Sequence, residues 1–206
     1  MASRSAKSPY ELVVDADGSP LAEKLLAVAR LASLAVTVRP GATCASTYCG
    51  LPMPELICSG GLKVRGTSAI MRRLAQSGCS LAPLTGDSFI QEGQVDMWME
   101  WVTLEIDHAG RDVNVDQVCG VLEAHLSSRS YLVGDRLSLA DVSAVFSLGG
   151  LVADAAALRS RFPMTCRWLQ ACKDDVAAGA SGAGAKGRGG GAPRRRRTPG
   201  CAPPPF

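Results

Sequence analysis

The chain has 206 residues, of which 47% are hydrophobic and 20% are charged, which is enough apolar material for one ordinary core or two small ones. Its formal net charge is +3, but six Lys and Arg residues lie beyond the last acidic residue, Asp175, and without them the charge is −3. The body of the chain is therefore mildly acidic, which argues against a protein that coats nucleic acid through a basic core.

The eight cysteines and two histidines do not show the spacing of a metal site, because no two cysteines form a Cys-x-x-Cys pair. We therefore expect no metal and no cofactor. The first residues, MASRSAKSPYELVV, carry no apolar signal segment, and no apolar run is long enough for a membrane span. These features predict a cytoplasmic protein without membrane contact, whose thiols are mostly small buried side chains.

The first elements are predicted from YELVVDADGSPLAEKLLAVARLASLAVTVRPG, which begins at Tyr10. A β-branched run, a break at Gly18-Ser19-Pro20, a helical stretch and the run LAVTV predict a strand, a helix and a second strand. Ser19 is placed to cap the helix, with Pro20 at its first position. The segment from Pro40 to Met53 has no clear period and is predicted to be mostly loop.

The next stretch, PELICSGGLKVRG, predicts two short strands that turn at Ser59-Gly60-Gly61. TSAIMRRLAQSG then predicts a helix with Thr67 as its cap and Gly78 as its stop. The order βαβ, loop, ββα closes a first domain near residue 80.

From residue 81 the pattern predicts helices only. The helix in SFIQEGQVDMWMEWVTLEIDHAG carries two apolar stripes at steps of three and four. The first stripe consists of Val95, Trp98, Val102 and Ile106. The second stripe consists of Met97, Trp101 and Leu104. One stripe faces the chain's own helical bundle, and the other faces either the first domain or another protein chain.

A strong helix start lies in YLVGDRLSLADVSAVF, residues 131–146. Ser138 and Asp141 stand three apart, so that the hydroxyl can accept from the Asp141 amide while the carboxylate accepts from the Ser138 amide. Leu137 and Val142 flank this capping box as a hydrophobic staple. Asp141 is therefore assigned to folding rather than to catalysis.

Further helices are predicted in VDQVCGVLEAHLSSR, in DAAALRSRF and, behind Pro163, in MTCRWLQACKDD. From Ala177 the chain is mostly Gly, Ala, Pro and Arg, a composition that predicts disorder. The predicted organisation is a flexible start at 1–9, an α/β domain at 10–80, an all-helical domain at 81–176 and a basic tail at 177–206.

This order of elements resembles the glutathione S-transferase fold, in which a thioredoxin-like N-terminal domain precedes an all-helical C-terminal domain. Pro54 in LPMPELI matches the position where that family has a cis proline. TSAI, Thr67 to Ile70, matches its acidic or Gln-Ser-x-Ile turn, with Thr67 in the place of the acidic or Gln residue, and SLADV matches the capping box of its sixth helix. The resemblance implies a fold of the α/β plus all-α class.

Several stretches are more similar to the transferase-like domains of translation components. TSAI and VDMWMEWVTLEI resemble the N-terminal domain of methionyl-tRNA synthetase, and YLVGDRLSLAD and RFPMTCRWLQAC resemble the gamma subunit of elongation factor 1. The resemblance implies a non-catalytic module that docks onto similar domains of synthetases or elongation factor subunits. Both a homodimer and a heterodimer are compatible with it. The candidate docking residues are Met71, Arg72 and Ala75, together with the second stripe.

Two alternatives stand beside docking. The first is a glutathione transferase in which the Ser19 hydroxyl stabilises the glutathione thiolate, although its role as a helix cap is the simpler interpretation. Under this alternative the resemblance implies that Pro54, Thr67 and Ser68 bind glutathione as substrate. The second is a tRNA-binding accessory factor, in which Arg194, Arg195, Arg196 and Arg197 of the tail contact phosphates.

Overall fold

A computed structural model describes residues 8–14, 20–41, 54–78, 83–109, 112–149, 151 and 155–182. Its first part contains strands β1 (Tyr10–Val14), β2 (Val36–Pro40), β3 (Glu55–Cys58) and β4 (Lys63–Arg65), with helices α1 (Pro20–Leu31) and α2 (Thr67–Ser77). The strands form one sheet in the order β2-β1-β3-β4. β1 pairs with β2 in parallel, and β3 pairs with β1 and β4 in antiparallel. The predicted βαβ unit and hairpin are confirmed.

The two central strands, β1 and β3, alternate between half-buried and buried side chains, and helices cover their buried face. Leu12 and Val14 of β1 and Leu56 of β3 are buried, and α1 packs Leu25 and Val28 into the same core. Buried residues recur every two positions on the strands and every three or four positions on the helix, as expected where a helix covers a sheet.

The second part is helical. It consists of α3 (Phe89–Val102), a π-helical turn that continues it (Thr103–Asp107), α4 (Val115–Leu126), α5 (Leu139–Gly149), α6 (Ala155–Arg161) and α7 (Pro163–Gly182). α5 lies at the centre and contacts α1, α3 and α7. It is buried on nearly every side, because its sequence LADVSAVFSLG offers small and apolar residues all round the helix.

The start of α5 is held by the carboxylate of Asp141, which is fully buried. One oxygen accepts from the Leu132 amide at 2.9 Å and from the Trp168 indole at 2.8 Å. The other accepts from the Ser138 amide at 3.0 Å, as predicted, and from the Ser138 hydroxyl at 2.6 Å. This hydroxyl donates to the carboxylate, and the predicted hydrogen bond from the Asp141 amide to the hydroxyl is not formed between these two residues. Burial raises the pKa of Asp141, and the four hydrogen bonds act in the opposite direction.

Two further predictions about helix ends are corrected. Thr67 is the first residue of α2 and not its cap, because Gly66 takes the cap position with a φ of 90°, which favours glycine. The predicted start of disorder at Ala177 was also wrong, since α7 continues to Gly182. Alanine favours helix there, and a Cβ on Gly179 would lie 2.4 Å from a methyl group of Leu31, so the end of α7 packs closely on α1.

The α/β part and the helical part are joined by a buried polar cluster. Lys24 of α1 is 1% exposed and donates to the Asp107 carboxylate at 2.9 Å and to the Ser147 hydroxyl at 2.6 Å. Ser147 in turn donates to the other oxygen of Asp107 at 2.6 Å. Burial lowers the pKa of Lys24, and the Asp107 carboxylate counteracts this effect. The cluster fixes α1 against α5 and the π-helical turn.

Candidate docking surface

The surface that contains most of the predicted site residues is formed by α2 and α3. The hydroxyl of Ser88 begins α3 by accepting from the Gln91 amide at 3.3 Å, and Gly66 begins α2. α3 buries Val95, Trp98 and Val102 against the helical bundle, and this confirms the first predicted stripe. The opposite side of α3 therefore faces outwards.

Four large apolar side chains on and just after α3 are exposed. They are Phe89 at 90%, Ile90 at 74%, Met97 at 55% and Leu104 at 56%. Sequence reasoning identified Met97 and Leu104 but missed Phe89 and Ile90. The spacing of seven from Ile90 to Met97 and from Met97 to Leu104 was the signal that could have added Ile90.

A cavity of about 350 Å³ lies between the first turn of α2 and the outer side of α3. Its lining residues are Ser68, Asp96, Met99, Glu100, Thr103 and Leu104. Arg72 of α2 forms an ion pair with Asp96 at this surface. Glu100 has no salt bridge with any residue in the described ranges. The cavity therefore combines an apolar wall with an uncompensated carboxylate.

The remaining predicted docking residues divide into two groups. Trp101 is half-buried and packs edge-to-face on Trp98, with 5.2 Å between ring centroids, and Ala75 is half-buried against the core. Met71 is fully buried. Its assignment to an exposed side of α2 was wrong, because α2 packs against both α1 and α3 and turns Ile70, Met71 and Leu74 inwards.

The residues predicted to bind glutathione are only partly brought together. Thr67 and Ser68 are half-buried in the first turn of α2, and Ser68 lines the cavity. Pro54 is buried at the start of β3. No peptide bond between described residues is cis, and Met53, which precedes Pro54, lies outside them. Ser19 and the four tail arginines, Arg194 to Arg197, also lie outside the described residues.

Three of the described thiols, Cys119, Cys166 and Cys172, are poorly suited to nucleophilic chemistry. Cys58, Cys119, Cys166 and Cys172 are all unpaired, and burial raises the pKa of Cys119 to about 11. Burial also raises the pKa of Cys166 and of Cys172. Neutral thiols are weak nucleophiles. No group of His, Cys, Asp and Glu in the described ranges is arranged to hold a metal ion.

The fold is that of the glutathione transferases. Residues 104–174 match the family model of the glutathione S-transferase C-terminal domain. The chain is also similar to the URE2P6 protein of Phanerochaete chrysosporium in its apo form, with a TM-score of 0.69 and 19% identity. That likeness covers 86% of this chain and 98% of the other, and at this identity it concerns the fold alone. Thioredoxin-like and helical parts thus follow each other as predicted.

The curated relatives in sequence are proteins of translation. The chain is 24% identical over 147 residues to the cytoplasmic glutamate-tRNA ligase of Arabidopsis thaliana, a match of 70% of this chain and 20% of the ligase. It is 33% identical over 151 residues to elongation factor 1-gamma of Trypanosoma cruzi, which covers 61% of this chain and 36% of that protein. The chain thus spans between a fifth and about a third of the length of these relatives.

None of the helices in its described part combines the length and apolar character that a bilayer span needs.

Proposed function

We propose that this chain is a non-catalytic docking module of the translation apparatus, which binds transferase-like domains of aminoacyl-tRNA synthetases or of elongation factor 1 subunits. The observation that carries the proposal is the outer side of α3, where Ile90, Met97 and Leu104 remain exposed. Apolar side chains grouped in this way on a surface mark a site of protein association. The relatives among translation proteins support the choice of partner.

A glutathione transferase is the second candidate, because Ser68 lines the cavity at the start of α2, where the helix dipole favours an anion. The charges in the cavity oppose it. Glutathione carries two carboxylates and one ammonium group, whereas the lining includes no Lys or Arg. Of its two carboxylates, Asp96 is paired with Arg72, but Glu100 has no described salt bridge, and an unpaired carboxylate close to those of a ligand weakens its binding. Docking is therefore the better account of this surface.

The place of action that we propose is the cytoplasm. The four described cysteines are free thiols, as a reducing compartment favours. A tRNA-binding accessory factor acting through Arg194 to Arg197 is a third hypothesis, which rests on the sequence of the tail. Phosphate contacts by such a tail would weaken steeply with added salt.

The experiment for docking is affinity capture from a cytosolic extract, followed by identification of the proteins retained. The baits are the full chain, residues 1–182, the double variant Met97→Asp/Leu104→Asp and the control Leu62→Asp. Leu62 is 61% exposed in the turn between β3 and β4, so it matches the substituted residues in exposure but lies outside α3. Truncation after residue 182 leaves α7 complete.

We expect synthetases or elongation factor 1 subunits to be retained by the full chain, by residues 1–182 and by Leu62→Asp, and to be lost from the double variant. Retention that requires the tail would support the RNA hypothesis instead. Unchanged retention by the double variant, or the absence of translation proteins from every bait, would contradict the proposal.

A further inference from the structure

The π-helical turn at the end of α3 holds one residue more than an α-helical turn. The amide of His108 donates to the carbonyl of Thr103 at 2.9 Å, a step of five residues instead of four. Turns of this kind are rare, and they occur mostly as single insertions in α-helices, often at functional sites. Because the α-helix is the more favourable continuation, contacts outside the helix are needed to keep the wider turn.

The wider turn brings two successive side chains to the inner side of α3. Val102 is buried, and in a continuous α-helix the next buried position would belong to Ile106. Asp107 would then lie about 100° further round the helix axis. In the structure Ile106 is buried, and Asp107 nevertheless contacts Lys24 and Ser147. The additional residue therefore allows Asp107 to join the buried cluster.

The cluster in turn holds the wider turn in place. Asp107 receives hydrogen bonds from the ammonium of Lys24 and from the hydroxyl of Ser147, and Lys24 is almost completely buried. In an α-helical register Asp107 would follow Glu100 and Thr103 at steps of seven and four, on a side of α3 where Glu100 is exposed. Without the Lys24 ammonium, a carboxylate is more stable there, in contact with water, than partly buried without a cation.

The residues of this turn also form part of the outer side of α3. Thr103 and Leu104 line the cavity, and Leu104 is 56% exposed. The hydroxyl of Thr103 donates to the carbonyl of Met99, which belongs to the last α-helical turn. A change of the wider turn into an α-helical one would rotate the residues after Thr103 around the helix axis. Leu104 and Asp107 would therefore move together.

We propose that the π-helical turn is a conformational switch, which couples the junction between the two parts of the molecule to the outer side of α3. While Lys24 holds Asp107, the turn keeps its wide form. Separation of α1 from Asp107 lets the turn become α-helical and displaces Leu104. Such coupling acts in both directions, so a partner that binds one form of the turn also strengthens or weakens the junction. The effect on partner binding rests on the proposed docking function, whereas the change of the turn does not.

The test follows the hydrogen bond of the His108 amide in the full chain by nuclear magnetic resonance, because scalar couplings across a hydrogen bond identify the acceptor carbonyl. Lys24→Met and Lys24→Gln both remove the cation and keep a side chain of similar length at the buried position. We expect the acceptor to change from Thr103 in the parent chain to Leu104 in both variants.

The control variant is Glu105→Gln, which changes an exposed carboxylate on the same turn that has no salt bridge with the described residues. It should keep Thr103 as the acceptor. The methyl groups report the effect on the outer side. The resonances of Leu104 should shift in both Lys24 variants, whereas those of Met97, on the α-helical part, should not.

Affinity capture then measures the consequence for docking. We expect Lys24→Met to retain translation proteins about fivefold more weakly than the parent chain, at the lower end of the usual coupling between two sites. Equal retention by the two chains would contradict the coupling, even where the acceptor of the His108 amide changes.

Two results would overturn the switch itself. One is a His108 amide that keeps the Thr103 carbonyl as its acceptor in both Lys24 variants. The other is a displacement of Leu104 in Glu105→Gln as large as that in Lys24→Met, which would separate the movement from the cluster. Absence of translation proteins from every bait would instead contradict the docking function, and the resonance measurements would still decide the switch.

Discussion

The carboxylate of Asp141 accepts a hydrogen bond of 2.8 Å from the indole nitrogen of Trp168, and this bond connects the first turn of α5 to the second turn of α7. Both residues are buried, Trp168 at 1% and Asp141 at 0% exposure. A helix cap that is local in the sequence thereby becomes a contact between two distant helices. Because α5 also contacts α1 and α3, its position affects both parts of the molecule.

Replacement of these two residues should produce graded losses of stability. Asp141→Ala leaves the Leu132 amide, the Ser138 amide and the indole without their acceptor, and should cost at least about 3 kcal/mol. Trp168→Phe removes one donor to a carboxylate and should cost about 2 kcal/mol. Urea unfolding followed by circular dichroism measures both. A smaller loss in Asp141→Ala than in Trp168→Phe would show that the carboxylate is not the centre of the network.

The cluster that joins the two parts should respond unequally to loss of either charge. Asp107→Ala leaves the Lys24 ammonium buried without a counter-ion and should cost about 3 kcal/mol. Lys24→Met should cost only about 1 kcal/mol, because the Asp107 side chain is 26% exposed and water can solvate it. The free energies of unfolding of the two variants, each compared with that of the parent chain, test this difference. Equal costs would mean that Lys24 is better solvated than its burial indicates.

Glu123 should make stability depend on pH in the acid range. Its carboxylate, on α4, accepts from the amides of Met164 and Thr165 at 3.0 Å and 2.8 Å and from the Thr165 hydroxyl at 2.9 Å. The carboxylate thereby caps the first turn of α7. Burial raises the pKa of Glu123, but these hydrogen bonds together hold it below the ordinary value of 4.5. The stabilisation is therefore present above pH 4.5 and is lost as the pH falls through the lowered pKa.

The variant Glu123→Gln isolates this contribution. It should be about 1 kcal/mol less stable than the parent chain at pH 7. The difference should shrink below pH 4.5, because the parent chain then loses its carboxylate as well. Urea unfolding at pH 7, 5 and 3.5 measures the change. A difference that is constant with pH would contradict the assignment.

Gly93 should limit the stability of the free chain. Gly93→Ala adds a methyl group into open space on an exposed helix and should stabilise the chain by about 0.8 kcal/mol, the difference in helix propensity. Gly120 of α4 also has nothing within 4 Å of a built Cβ, so Gly120→Ala is a matched comparison. Thermal unfolding measures the stability of both variants against that of the parent chain. A loss of stability in Gly93→Ala would indicate that the outer side of α3 packs against another part of the chain at this residue.

Glutathione should not bind well in the cavity beside Ser68. Immobilised glutathione is expected to retain neither the full chain nor Ser68→Ala, and conjugation of an electrophile should not exceed the uncatalysed rate. The reason is the repulsion between the carboxylates of the ligand and that of Glu100, which has no described cation beside it. Retention that is lost in Ser68→Ala or Ser19→Ala would favour the transferase alternative.

Much of the fold could be predicted because its signals are local. The β-branched run after Tyr10, the turn at Gly60 and the spacing of Val95, Trp98 and Val102 each define one element without knowledge of its neighbours. The hydrogen bond from the Ser138 amide to the Asp141 carboxylate is equally local, since the two residues are three positions apart. Such features depend on backbone geometry and periodicity, which the sequence records directly.

The two halves of the fold, the order of their elements and the second apolar stripe on α3 could be read from residue patterns alone. The burial of Met71, the contact between Lys24 and Asp107 and the absence of a described cation beside Glu100 became visible only in the folded chain. Burial and ion pairing depend on which helices meet, and residue patterns do not record this. Those contacts join residues far apart in the chain, as Lys24 and Ser147 show.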